Sequence, residues 1–174
     1  FARYMATAIK GIESHDSVKI DYISPVNEPD GSWNWLGPKQ EGSPATNREV
    51  ARVARELDKA LAKAKLDTKI LVSEACDYRC LLGVHDAGWQ RGNEIKSYFC
   101  PDSTATYIGK LKHLPQLIGA HSYWTNTPVS FMRETRKKVA EACEKQGIKF
   151  LQTEICIMSN DKEIGGGSGY DHSM

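Results

Sequence analysis

The chain has 174 residues, 40% hydrophobic and 26% charged, the balance of a folded globular domain with length for one sizeable core. Its formal net charge is +1, with Lys and Arg spread among Asp and Glu, so no basic patch argues for a nucleic-acid partner. No apolar stretch approaches the roughly 20 residues of a bilayer span, and no basic-then-apolar export signal stands at the start.

Residues 1–13 place Ala2, Met5, Ala6, Ile9 and Ile12 at helical spacing, which predicts one packed helix face. The chain therefore starts within a helix and stops past a glycine-rich run, Gly165 to Gly169, and reads as a piece of a longer protein. Val18 to Val26 is rich in β-branched and aromatic residues and predicts a buried strand. A loop dense in Gly, Pro, Trp and Asn follows. Thr46 with Glu49 then forms a capping box for a helix whose Val50, Val53, Leu57, Leu61 and Ala64 share one face.

Lys69 to Ser73 predicts a short strand, apolar at its centre as parallel strands covered on both sides are. Glu74 to Ala105 shows little periodicity and reads as a long loop, of the kind that is usually functional or disordered. A short helix is expected around Tyr107 to His113 and a strand over Leu117 to Tyr123. Ser130 is placed as the cap of a helix carrying Phe131, Met132, Val139 and Ala142, which Gly147 ends, and Ile148 to Thr153 forms the last strand.

Cys76, Cys80, Cys100, Cys143 and Cys156 form no CxxC pair and have no histidine at ligand spacing, so a structural zinc site is not expected. A disulfide among Cys76, Cys80 and Cys100 would suit a secreted or periplasmic protein, but the odd count leaves a thiol over and the spacing does not decide the pairing.

Helices of crossover length alternate with strands, which implies a parallel sheet, either open and doubly wound or closed into a barrel. The chemistry gathers where strands end: Asn27-Glu28-Pro29, Glu74, His121-Ser122-Tyr123-Trp124 and Thr153-Glu154. A barrel builds its active site from those positions, whereas an open sheet calls for a glycine-rich phosphate turn after a strand, and none stands where it is needed. Glu28 and Glu154 suit the paired carboxyl groups of retaining glycoside hydrolysis, one an acid and one a nucleophile. Glu74 also ends a strand, but with that pair filled it is expected to support the site or anchor a loop.

The phrases SPVNEPDGSWNW, QEGSPAT, KILVSEA, GAHSYW and LQTE together resemble the clan A glycoside hydrolases, and among them family 30, most closely its endo-β-1,6-galactanase branch. The resemblance runs from about Val18 to Met158. It implies a partial TIM (β/α)8 barrel, with residues 1–174 as its central part holding strands four to seven, and strands one to three, strand eight and a side β-sandwich outside the chain. It implies Glu28 as acid/base and Glu154 as nucleophile, Asn27 on the sugar hydroxyl beside the anomeric carbon, and Tyr123 or His121 orienting the nucleophile.

Trp33, Trp35 and Trp124 lie in strand-end loops, where an indole either stacks on a sugar ring or packs against the rim; Trp89 is a weaker candidate. Gln40 and Glu41 are expected to hold their loop. The resulting expectation is a secreted or periplasmic monomer acting on a polysaccharide or oligosaccharide, with no cofactor, metal, membrane or nucleic-acid partner. Within the family, a β-1,6-glucanase, a xylanase or a glucosylceramidase would use the same pair, and an inactive carbohydrate-binding relative would keep the scaffold alone.

Overall fold

The structure is a computed structural model and describes residues 1–31, 42–83, 90–157 and 163. Trp33, Trp35, Trp89, Gln40, Glu41 and the Gly165 to Gly169 run lie outside the described residues.

Helix α1 (Ala2–Asp16) buries Ala6 and Ile9 and stops where Ser17 takes a left-handed conformation. Helix α2 (Asn47–Ala64) starts in the expected capping box: the Thr46 side chain accepts from Glu49 N–H, and Glu49 accepts the Thr46 N–H at 2.7 Å. Val50, Ala54, Leu57 and Leu61 then recur every three or four residues and are fully buried, which fixes the face turned to the core. Lys65, left-handed, closes it by donating its N–H to the last turn.

Among the described residues, five short strands follow the parallel pattern: β1 (Tyr22–Ile23), β2 (Lys69–Ile70), β3 (Val72–Ala75), β4 (Leu117–His121) and β5 (Lys149–Glu154). β1 pairs with β2, and β3, β4 and β5 form a sheet in that order, every pair parallel. Helices α3 (Tyr78–Leu82) and α4 (Glu94–Phe99) lie between β3 and β4, and α5 (Val129–Gln146) between β4 and β5. The architecture is mixed α/β with parallel sheets. Its core joins Leu57 and Leu61 of α2 to Ile70, Val72 and Ile118 of the strands and to Tyr78, Tyr98, Val139 and Cys143 of the later helices. No helix among the described residues is long and apolar enough to cross a membrane.

Several expectations change. Of Val18 to Val26 only Tyr22 and Ile23 find a ladder, because Pro25 has no N–H to give and the flanking Val18 is exposed. The strand expected over Lys69 to Ser73 extends to Ala75 and divides at Leu71, one part serving β1 and the other β4. Tyr107 to His113 forms turns, not a helix, since the Ile108 and Gly109 amides both donate to Tyr98 O, at 2.9 and 3.1 Å. The long aperiodic stretch carries α3 and α4. Helix α5 begins one residue before Ser130, with Pro128 as its N-cap, while Gly147 ends it in the left-handed conformation as expected.

Each of the five cysteines stands as a thiol, so no disulfide closes the long loop. The reason is visible at Asp30: Cys76 donates both its amide, at 3.0 Å, and its thiol, at 2.9 Å, to that buried carboxylate. Burial, then the Asp30 charge, pushes the Cys76 and Cys80 thiols far up, away from the thiolate that disulfide formation needs.

Candidate active site

The strand ends place three glutamates around one histidine. Glu28 follows β1 on a turn held by its own N–H, which donates to Glu74 O at 2.8 Å. Both residues have positive φ, 48° and 58°, and Trp124 at the end of β4 has 56°. Such conformations cost a non-glycine residue about 1–3 kcal/mol and persist where the surroundings over-determine them, which is characteristic of functional sites.

His121 ends β4 and is 2% exposed. Its Nδ1 lies 2.9 Å from Glu28 Oε1, and its Nε2 faces Glu74 Oε2 at 3.3 Å and Glu154 Oε2 at 3.6 Å. Burial alone would push the imidazole down. The hydrogen bonds to Glu28 and Glu74 and the Glu154 charge outweigh it and raise the group to about 9, so His121 is an imidazolium at neutral pH. One ligand-type atom from each of Glu28, His121 and Glu154 lies within 4.8 Å of the others.

The two outer glutamates differ in setting. Glu28 is 3% exposed, and its Oε2 is buried with no hydrogen-bond partner among the described residues. The Glu154 side chain is 48% exposed and accepts the Tyr123 hydroxyl at 2.6 Å on Oε1. Burial first, and then the Glu154 hydrogen bond and charge, raises the Tyr123 phenol, which keeps it a donor. The Tyr123 ring meets His121 edge-on at 6.0 Å, and the exposed Trp124 ring lies 6.0 Å beyond it. Asn27 is half-buried beside Glu28, its carbonyl accepting Ser43 N–H at 2.7 Å. Glu28, Glu154, Asn27, His121, Tyr123 and Trp124 thus gather at one end of the parallel strands.

Glu74 belongs to the same cluster, closer to its centre than the sequence suggested. Its Oε1 accepts Ser24 Oγ at 2.6 Å and its Oε2 accepts Thr153 Oγ1. Burial would raise this carboxyl; the hydrogen bonds from His121, Ser24 and Thr153 overcome that and hold it below the usual range. The strands explain the placement. The β3/β4 ladder pairs Ser73 with Gly119 and then Ala75 with Ala120, passing over Glu74, and the β4/β5 ladder pairs Ala120 with Gln152 and then His121 with Glu154, passing over Thr153. The two skipped residues are the ones that bond to each other. Strand-end position was the only signal for Glu74 in the sequence; its contacts lie 50 and 79 positions away.

A second buried polar group lies behind the site. Ser73 Oγ donates to Glu94 Oε2, and Glu94 Oε1 has no hydrogen-bond partner among the described residues. Burial, then the Asp30 charge, raises the Glu94 carboxyl well above its ordinary value, which favours its protonated form.

The family model described as O-Glycosyl hydrolase family 30 matches residues 1–174. No curated protein matches the chain. Among solved structures, a conserved exported protein from Bacteroides fragilis is similar at 32% identity and a TM-score of 0.82, over 90% of this chain and 32% of its own. The chain thus spans about a third of the length of that relative.

Proposed function

Since the chain belongs to O-glycosyl hydrolase family 30, we propose that it is the central part of a retaining glycosidase that cleaves a β-linked polysaccharide, with Glu28 as acid/base and Glu154 as nucleophile. The observation that carries this reading is the approach of Glu28 and Glu154 carboxylate oxygens to within 4.8 Å on either side of His121. Double displacement uses carboxyl groups about 5–5.5 Å apart, whereas inversion needs about 6.5–9.5 Å to admit a water.

The settings of the two residues suit the division of labour. Glu154 is open to substrate and steadied by Tyr123; it attacks the anomeric carbon while the glycosidic bond breaks. Glu28 offers His121 one oxygen, and the other, with no partner among the described residues, carries the proton to the departing oxygen. In the second half Glu28 takes a proton from water, whose oxygen displaces Glu154 from the sugar. Acid and nucleophile are both side chains, so no cofactor takes part.

The parallel order, with every site residue at a C-terminal strand end, supports a (β/α)8 barrel of which residues 1–174 supply strands four to seven. Trp124 and, on its loop position, Trp33 or Trp35 stack on sugar rings, and Asn27 bonds the hydroxyl beside the reacting carbon. We place the enzyme outside the cytoplasm as a monomer, a reading that the exported relative supports as to export, and read its substrate as β-1,6-linked galactan.

The test uses the full-length enzyme. Glu154→Gly abolishes hydrolysis, and azide restores turnover with an inverted glycosyl azide; unchanged activity removes the assignment. Product analysis on β-1,3/1,6-galactan, β-1,6-glucan and glucuronoxylan decides the substrate, and cleavage of either of the last two alone replaces galactan.

A further inference from the structure

Glu74 is a third carboxylate in a site whose chemistry needs two. It is 5% exposed, both of its oxygens are occupied by protein donors, its backbone carbonyl accepts the Glu28 N–H at 2.8 Å, and its carboxylate faces the reacting pair through His121 Nε2. Three independent features of the chain serve its placement. Ser24 and Thr153, from the two outer segments of the site, clamp its oxygens. Consecutive register shifts turn Glu74 and Thr153 out of their ladders and toward each other. Finally, Gly119 on the strand between them leaves the space: a Cβ there would stand 3.1 Å from Glu74 Oε1 and 3.1 Å from Thr153 Cγ2.

We propose, resting on the assignment of Glu28 and Glu154 above, that Glu74 is a positioning residue: its fixed negative charge keeps His121 a cation donating through both ring nitrogens, and that cation holds the acid/base and nucleophile at their working separation. The charge balance gives the reason. Three carboxylates crowd one imidazole, and Glu28 must be neutral in one half of the cycle and ionised in the other. When Glu28 is protonated, its pull on the imidazolium weakens, and Glu154 is consumed as the glycosyl ester forms. Glu74 is the one carboxylate whose charge persists throughout the cycle, so it retains the proton on His121 and the orientation of the ring. Among the described residues, the groups facing His121 are Glu28 from the turn after β1, Glu74 from β3, Glu154 from β5 and, ring to ring, Tyr123.

The experiment compares the full-length wild type with Glu74→Gln, Glu74→Asp and Gly119→Ala, on whichever polysaccharide the wild type cleaves, with the His121 ring nitrogens followed by 15N NMR. Glu74→Gln is expected to lower kcat on the order of ten- to a hundredfold, as loss of a supporting carboxylate does, with KM changed by less than about threefold. His121 should titrate near 9 in the wild type and fall toward its ordinary 6.5 in Glu74→Gln. Glu74→Asp, keeping the charge, should recover part of both losses. Gly119→Ala, keeping the carboxylate but crowding it, should lower kcat without removing the elevated titration. An unchanged kcat in Glu74→Gln, or a loss with the His121 titration unmoved, overturns the proposal. Should Glu74→Gln not fold, the Glu74→Asp and Gly119→Ala results decide in the same way. Failure here leaves the Glu154→Gly result standing, and the two readings fall separately.

Discussion

Tyr123 shows how much of the site depends on single hydroxyl groups. Its O–H points at Glu154 Oε1 from 2.6 Å, and a hydrogen bond to a charged group contributes about 1.5–3 kcal/mol. In Tyr123→Phe the Glu154 carboxyl loses the contact that fixes its rotamer. The expected outcome is a kcat lower by about ten- to a hundredfold, at about 1.4 kcal/mol per decade, with the fold unchanged by circular dichroism. The residues that gather at the site were largely legible in the sequence, because Glu28, His121, Tyr123 and Glu154 sit where strands end, and that position is read from local pattern. Glu74 was visible as a strand-end carboxylate expected to support the site or anchor a loop, but the partners that hold it were not. Whether a carboxylate is spare or central depends on Ser24, Thr153 and Gly119, which the fold alone brings to it.

Among the elements, α2 is the one most completely encoded nearby. Its cap is a reciprocal pair three residues apart, and its buried face follows from one period. Thr46→Ala removes the side-chain acceptor and the hydroxyl bonded to Glu49, and is expected to cost about 1 kcal/mol, read as a lower denaturant midpoint. Leu57→Ala, at a fully buried position of the same helix, should cost about 2–5 kcal/mol. Helices α3 and α4 escaped the sequence because five and six residues hold too few turns to display a period. What sets them is tertiary: Tyr78 and Tyr98 are fully buried, and Asp77 accepts the Arg79 amide at 2.8 Å. The overlong β1 expectation failed for the opposite reason. Propensity favoured the whole stretch, but strand length is set by the partner, and β2 offers only two residues.

Across the molecule, burial of charge sets how stability follows pH. His121 is raised to about 9 from an ordinary 6.5, so its contribution is complete below 6.5 and is lost as pH climbs to 9. Glu94 is also raised, so the cost of keeping it neutral grows as pH rises above 4.5. Glu74 is lowered, so what it adds is present above 4.5 and lost on acidification below that value. The melting temperature of the full-length protein should therefore decline from pH 6.5 to 9. Glu94→Gln, neutral and of the same shape, should raise it by more at pH 8 than at pH 5; an equal or opposite change would show that Glu94 carries a charge in the folded state.

The two skipped residues of the ladders have a further consequence. Side chains alternate along a strand, so each extra residue resets which of its followers face inward. Ala75 and Glu154 take their present directions only because Glu74 and Thr153 are counted out beforehand. Loss of one codon at either place would invert the remainder of that strand, whereas codons gained or lost in the connecting loops leave the alternation alone. Descendants of this chain are free to lengthen and shorten between the strands, but the arithmetic inside β3 and β5 is fixed.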